Sequence, residues 1–465
     1  MKKIYTTIIS LITAILASAT PIDSAQTLYN EGKFREALPI FKELLKESPK
    51  DANLNFLTGV SYFKLDSISN AKQLLSAAND NGKADAAKYL SIIALNEYDF
   101  DNAGNYLSTY KNALQKNNDS ISSDIATLSS QIMNAKNMLG RVENIQIIDS
   151  INVDSATFFK FYRLSKDIGT LNATSILPNN FSATTPTVVF QPESQTQMIW
   201  AMTDSLGISN LVSSSMLSDG TWEHPHKLSD VLNDGGNANY PFIMPDGYTM
   251  YFANDGANSI GGYDLYITRK DEDGFLNPQN MGMPYNSPFN DYMLVIDEIT
   301  GIGWWASDRN HINGKVTIYM YIPNATRINY PTDTKNLVNL AKINSIKDTW
   351  IANNNYSNIL AQFDDLTTGS VAIEQYEFTL SLPNGKIYTS INDFKNSEAA
   401  IAMNEYLNAV AEIEQKQSEL NELRKKYSTG DKSVNDRILL LEKQILNEKA
   451  QLVRLRNIAI SLEIK

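Results

Sequence analysis

Three histidines, His224, His226 and His311, and a set of aspartates returning about every fifty residues are the side chains whose types best suit chemistry. His224 and His226 alternate beside Trp222, and a zinc site there would need at least one more strong ligand brought in by the fold. The chain has no cysteine, so thiolate ligands, thiol nucleophiles and disulfides are excluded. No Gly-x-Ser-x-Gly elbow accompanies the histidines, which leaves a Ser-His-Asp hydrolase without local support. His224 and His226 are therefore expected to be solvent-facing residues at a strand edge. Asp255, Asp264 and Asp308 sit in loops of the kind that can bind calcium, but Asp297, Glu298 and their neighbours form no dense ligand loop. Their recurrence is expected to reflect turns and strand-end hydrogen bonds, for which Asp and Asn are suited. Trp304 and Trp305 are adjacent, so on a strand they point to opposite faces, and packing is the expected role. No catalytic, cofactor-binding or metal-ligating residue is expected.

The elements that position these residues follow from a repeat. One copy runs Tyr240-Pro241-Phe242, Pro245-Asp246-Gly247, Met250 to Ala253 and Gly261-Gly262-Tyr263-Asp264-Leu265-Tyr266-Ile267. A second begins at Tyr292 and contains Trp304 to Arg309 and Val316 to Tyr319, and an earlier one contains Ile199 to Asp204 and Asp219 to Trp222. Trp200, Phe252 and Trp305 are 52 and 53 residues apart, each followed by Ala. Short Tyr, Trp, Phe, Ile and Val runs separated by Asp-Gly or Gly-Gly describe four-stranded units joined by tight hairpins. They predict a β-propeller of about five blades over residues 141–392. Outer blades would come from Val142 to Ile148 with Phe158 to Tyr162, as another blade or its closing strand, and from the Phe378 to Thr389 hairpin with its Asn384-Gly385 turn. Thr332 to Asp365 reads either as a degenerate blade or as a helical insertion.

Residues 20–140 carry a helical period instead. Ala37, Ala71 and Ala103 are 34 and 32 residues apart, and Pro49 ends a helix. The pattern resembles tetratricopeptide repeats, an α-solenoid whose small residues let helix pairs pack closely. Ile121, Ile125, Leu128 and Ile132 predict a closing helix. Residues 1–19 read as a signal peptide, with Lys2 and Lys3, an apolar run and Ala17-Ser18-Ala19. Residues 393–465 show a heptad seam through Val434, Ile438, Leu441, Ile445, Leu452, Leu455, Ala459 and Leu462, broken at Glu448. With a second seam through Val410, Ile413 and Leu420, it predicts a helical hairpin or coiled coil closed within one chain. The expected fold is thus multidomain, α plus all-β.

The formal net charge of −12 argues against nucleic acid, whose binding depends on neutralising phosphates. Pro245-Asp246-Gly247, Tyr251-Phe252-Ala253-Asn254, Asn258 to Leu265 and Ser307-Asp308-Arg309 resemble the WD40-like, TolB-type propeller repeats of exported Bacteroidetes proteins. In that family tetratricopeptide repeats precede the propeller, some members serve type IX secretion, and several end in an OmpA-like peptidoglycan-binding domain. Neither that domain nor a lipid-attachment cysteine is expected here. The resemblance implies a periplasmic scaffold or adaptor, with envelope or secretion-system proteins as partners and peripheral association with the outer membrane left open. The lack of a catalytic constellation makes a noncatalytic protein without cofactor the expectation, and the hairpin closed within one chain makes it a monomer. The alternative is a glycan-binding or hydrolytic propeller with its ligand at the central channel, which convergent carboxylates, arginines and an exposed Trp would favour.

Overall fold

The computed structural model describes residues 20–464 except 233–234, 273, 352–355, 357–377, 379, 383–386 and 389. The expected signal segment and the Asn384-Gly385 turn lie outside the described residues. The chain divides into two compact units, one up to Ser129 and one from Ser130 onward.

Helix pairs build the first unit: α1 (Pro21–Asn30) with α2 (Phe34–Glu47), α3 (Ala52–Lys64) with α4 (Ile68–Asp80), and α5 (Asp85–Asn96) with α6 (Phe100–Lys116). Each pair turns on one left-handed residue, Gly32 (φ 75°), Asp66 (φ 58°) or Tyr98 (φ 65°). Only glycine adopts that conformation freely, so the later pairs hold it by packing. Ala37, Ala71 and Ala103 are fully buried. Facing them at the same repeat spacing stand Ala25, Gly59 and Ser91, a second row of small residues in the first helix of each pair. A Cβ on Gly59 would lie 2.9 Å from Leu75 Cγ, and Ser91 Oγ donates to the Ala103 carbonyl at 2.7 Å. The start of α7 (Ser123–Leu139) closes this unit with buried Ile125 and Leu128. It is tied down by Lys88 to Asp124 and by Lys111 Nζ to Ser129 Oγ at 2.8 Å. Ile121, expected on the buried face, is exposed.

The second unit takes in the rest of α7 and begins its sheets with β1 (Gln146–Asp154), which belongs to the last of three open antiparallel sheets. The first sheet runs β2 (Thr170–Asn172), β3 (Val189–Gln191), β4 (Gln197–Thr203), β5 (Ser209–Ser215), β6 (His226–Lys227) in spatial order. The second comprises β7 (Ala238–Ile243), β8 (Thr249–Asn254), β9 (Asp264–Arg269) and β10 (Gln279–Asn280). The third holds β11 (Asp291–Asp297), β12 (Ile302–Ser307), β13 (Lys315–Ile322) and then β1, paired from Gln146 opposite Ile322 to Asp154 opposite Lys315. Trp200, Phe252 and Trp305 are buried in β4, β8 and β12, opposite Val212, Tyr266 and Tyr319.

The repeat therefore builds three sheets among the described residues, where about five blades were expected. Val142 to Ile148 lead into β1, the closing strand of the third sheet. Phe158–Phe161 is a 3-10 turn and not a strand. Its aromatics fill the space where the sheets meet: Phe158 lies edge-on to Tyr240 and Tyr292, which stack on each other at 4.5 Å, and Tyr162 donates to the Met293 carbonyl at 2.8 Å. The described part of Thr332 to Asp365 is helical, with α8 (Leu337–Lys342) and a 3-10 turn whose Thr349 and the adjacent Trp350 bond to Ile147 of β1.

The recurring aspartates hold neighbouring sheets together. Asn237 donates its N–H and side-chain amide to Asp255 at 2.6 and 2.9 Å, while its Oδ1 accepts from Ser209 N in the preceding sheet at 2.9 Å. Asn290 repeats this with Asp308 at 2.8 and 2.7 Å and with Tyr263 N at 3.0 Å. Close approach between the second and third sheets explains the glycine pair before Tyr263. A Cβ on Gly261 would stand 2.0 Å from the Phe289 carbonyl oxygen, and one on Gly262 would stand 2.1 Å from Asn290 Oδ1. Asp264, wholly buried, accepts from Ile260 N, Gly261 N and Asn280 Nδ2, and its burial raises its pKa well above the usual carboxylate range. Asp291 and Arg309 form a buried pair at 2.6 Å, with Arg309 also donating to the Pro284 and Tyr285 carbonyls.

β14 (Leu380–Ser381) and β15 (Ile387–Tyr388) form a two-stranded sheet of their own, so this hairpin is not a further blade. Leu380, Leu382 and Tyr388 instead pack with Ala402, Met403 and Ala459 of the two long C-terminal helices, α9 (Ser397–Ser428) and α10 (Asn435–Glu463). A boundary at residue 393 would cut through this shared core. Farther along the hairpin, Ile413 and Leu420 meet Ile438, Leu441 and Ile445, which closes the seam within the chain. Glu448, the polar break in that seam, pairs with Lys416.

Candidate functional site

Equivalent turns of the three sheets end at one cavity. The β3–β4 turn brings Glu193, the β7–β8 turn brings Pro245, and the β11–β12 turn brings Glu298 and Ile299, at steps of 52 and 53 residues from Glu193 to Pro245 to Glu298. The 3-10 turn Lys166–Ile168 adds Asp167 and Ile168. Asp297 fixes two of these walls at once. One of its oxygens accepts from Ser165 N and Oγ at 2.7 and 2.6 Å, and the other accepts from Ile299 N and Thr300 N at 2.9 and 3.1 Å. Asp246 sets the Pro245 turn in the same way, accepting from Tyr248 N and Thr249 N at 2.8 Å.

Helices α9 and α10 supply the opposite wall. Met403, Tyr406, Leu407, Val410, Ile413 and Gln417 recur at helical spacing on one face of α9. Lys449, Leu452 and Arg456 do so on α10. Lys449 pairs with Glu193, tying α10 to the first sheet. The cavity has a volume of about 640 Å³, within the range of small-ligand sites.

Its polar lining includes Asp167, Glu193, Glu298, Tyr406, Lys449 and Arg456, of which Lys449 and Glu193 pair with each other. Burial raises the pKa of Glu298, Arg456 opposes that rise, and Asp246 and Asp297 add to it. Burial lowers the pKa of Arg456, against the pull of Tyr406, Glu298 and Asp297. Arg456 as a residue keeps intermediate exposure because the cavity is open to water, although protein atoms surround its guanidinium. Among the described residues, Glu298, Tyr406 and Arg456 make no hydrogen bond or ion pair.

None of the histidines, recurring loop aspartates or tryptophans singled out from sequence lies here, although Pro245 of the repeat, Glu298, and Val410, Ile413 and Leu452 of the helical seams do. His224 and His226 are exposed near the outer edge strand β6, where His226 contacts Ser213 Oγ at 3.2 Å. His311 is exposed and meets the Phe289 ring edge-on at 4.3 Å. Asp255, Asp264 and Asp308 are engaged in the bonds described above. Trp304 and Trp305 are both buried on opposite faces of β12, one against Tyr162 and the other stacked on Tyr319. Among the described residues no three His, Asp or Glu side chains gather as metal ligands. Glu298 had one sequence signal, because it stands one repeat after Pro245 with an acidic residue in place of proline. Arg456 had none, since it lies beside the heptad seam rather than in it.

A tetratricopeptide-repeat family model matches residues 28–95. No curated protein and no solved structure matches the chain.

Proposed function

We propose that this protein is a noncatalytic periplasmic adaptor that binds other envelope proteins, in type IX secretion or outer-membrane assembly. The observation that carries this reading is the first unit, whose paired helices keep two rows of small residues and match the tetratricopeptide repeat. Such solenoids commonly bind protein. Helical repeats followed by Pro-Asp-Gly and Gly-Gly-Tyr-Asp sheets resemble PorE, a periplasmic component of type IX secretion, and on that reading the sheets are a WD40-like, TolB-type propeller. Export would rest on residues 1–19. No described helix is long and apolar enough to cross a membrane, and the hairpin seam, satisfied within one chain, supports a monomer.

A glycan-binding or hydrolytic propeller would place its ligand where the sheets converge. Phe158, Tyr162, Tyr240 and Tyr292 occupy that space, which supports the adaptor reading. The test is affinity purification of the tagged protein from envelope extract, with mass spectrometry of what is retained. The wild type should retain a defined set of envelope proteins that Ala71→Trp loses. Retention of the same set by a variant whose first unit is unfolded would overturn the assignment of binding to that unit.

A further inference from the structure

The cavity beneath the C-terminal hairpin presents an unusual combination. Glu298, an acceptor, stands on the sheet side, and Tyr406 and Arg456, both donors, stand on the helix side. Glu298 and Arg456 attract each other across the cavity, but none of the three makes a hydrogen bond or a close ion pair among the described residues. Met403, Leu407, Val410 and Leu452 form an apolar wall between and beside them. A buried charge without hydrogen bonds is costly, so the cavity leaves an interaction free energy that a matching ligand would recover.

The chemistry of that ligand follows from the two opposed charges. An anionic amphiphile would satisfy Arg456 but set its charge against Glu298 and Asp297. A cationic one would satisfy Glu298 and leave Arg456 unpaired. We infer that the cavity binds a short apolar peptide with free ends, its carboxylate on Arg456 and Tyr406, its ammonium on Glu298, and its side chains on the α9 and α10 wall. The guanidinium fork suits a carboxylate in two-point contact, and Met403, Leu407, Val410 and Leu452 take aliphatic side chains. This site is separate from partner recognition by the helical repeats and does not rest on it.

The experiment is calorimetric titration of the full-length protein with the tripeptide Leu-Ala-Leu, its N-acetyl form, its C-terminal amide, and sodium laurate. The free tripeptide should bind saturably, and each single cap should weaken binding at least tenfold. In Arg456→Gln, amidation should no longer matter while acetylation still does, and in Glu298→Gln the dependence should reverse. A merely structural role for either residue would not produce that exchange. The capped peptides test the wild type alone, so the result stands even if a variant fails to fold. Absence of saturable binding, binding indifferent to both caps, or laurate binding as tightly as the tripeptide would overturn the proposal.

Discussion

At the residue scale, the tightest constraint is Gly261. With its Cβ position 2.0 Å from the Phe289 carbonyl oxygen, backbone and not a flexible side chain must move, so Gly261→Ala should cost about 3 kcal/mol or more. Gly140, whose Cβ position would meet only the Asn137 carbonyl oxygen at 3.5 Å, is the control for steric crowding. Urea denaturation followed by tryptophan fluorescence reports this cleanly, because all five Trp residues lie in the second unit. The same probe reads the buried carboxylates. Asp264, Glu143 and Glu298 have pKa values raised in the folded protein, chiefly by burial. The folded state takes up their protons before the unfolded chain does, so the second unit should gain stability from these groups as pH falls from 8 toward 4. Asp124 behaves oppositely in the first unit. Hydrogen bonds from Lys88 and then Ser122 lower its pKa from 3.8 to about 2. Its small, salt-sensitive contribution should be lost as pH falls through that interval. Far-UV circular dichroism below pH 4 should show helix lost more readily than fluorescence changes.

At the element scale, Leu441 sits at the centre of the seam that closes the hairpin within one chain. It is 0% exposed between α9 and α10, and Leu441→Asp would bury an unpaired carboxylate at a cost of several kcal/mol. Separation of the helices should follow, together with loss of tripeptide binding, while tryptophan fluorescence of the sheets is kept; hydrogen exchange confined to residues 397–463 checks this. Ala71→Trp should act just as locally on α3 and α4, by overpacking of about 1–3 kcal/mol. These elements were legible in sequence because each carries its own period: small residues every 34 or 32 positions, Trp or Phe every 52 or 53, and a seam of threes and fours. Phe158 to Tyr162 misled because an apolar aromatic run has no period to distinguish a strand from a plug between sheets. The hairpin at Leu380 to Tyr388 misled similarly, since strand pairing does not say which core the pair joins. The cavity was illegible for a further reason. Its walls come from Asp167, Glu193, Pro245, Glu298 and two helices more than a hundred residues later, and no local pattern encodes that convergence.

At the scale of the whole molecule, the cores determine where the chain can be cut. A chain ended at Tyr356 should keep the three sheets, because Thr349, Trp350 and Tyr356 still cover β1. One ended at Asp393 leaves Leu380, Leu382 and Tyr388 without the helices that bury them, and should self-associate. Size-exclusion chromatography of the two chains against the full-length protein, expected to be monomeric, separates these outcomes. The placement of β1 constrains the order of events during biogenesis. Gln146 pairs with Ile322 and Asp154 with Lys315, so the third sheet has no outer strand until more than 160 further residues have left the ribosome. Until then the backbone edge of β13 or of β1 stands open, and closing so long a loop is slow because its entropic cost precedes its contacts. A holding chaperone would find its substrate in that interval, and refolding from urea should yield fewer soluble molecules as protein concentration rises. The strand that completes the third sheet is thus also the one that makes its chain wait longest.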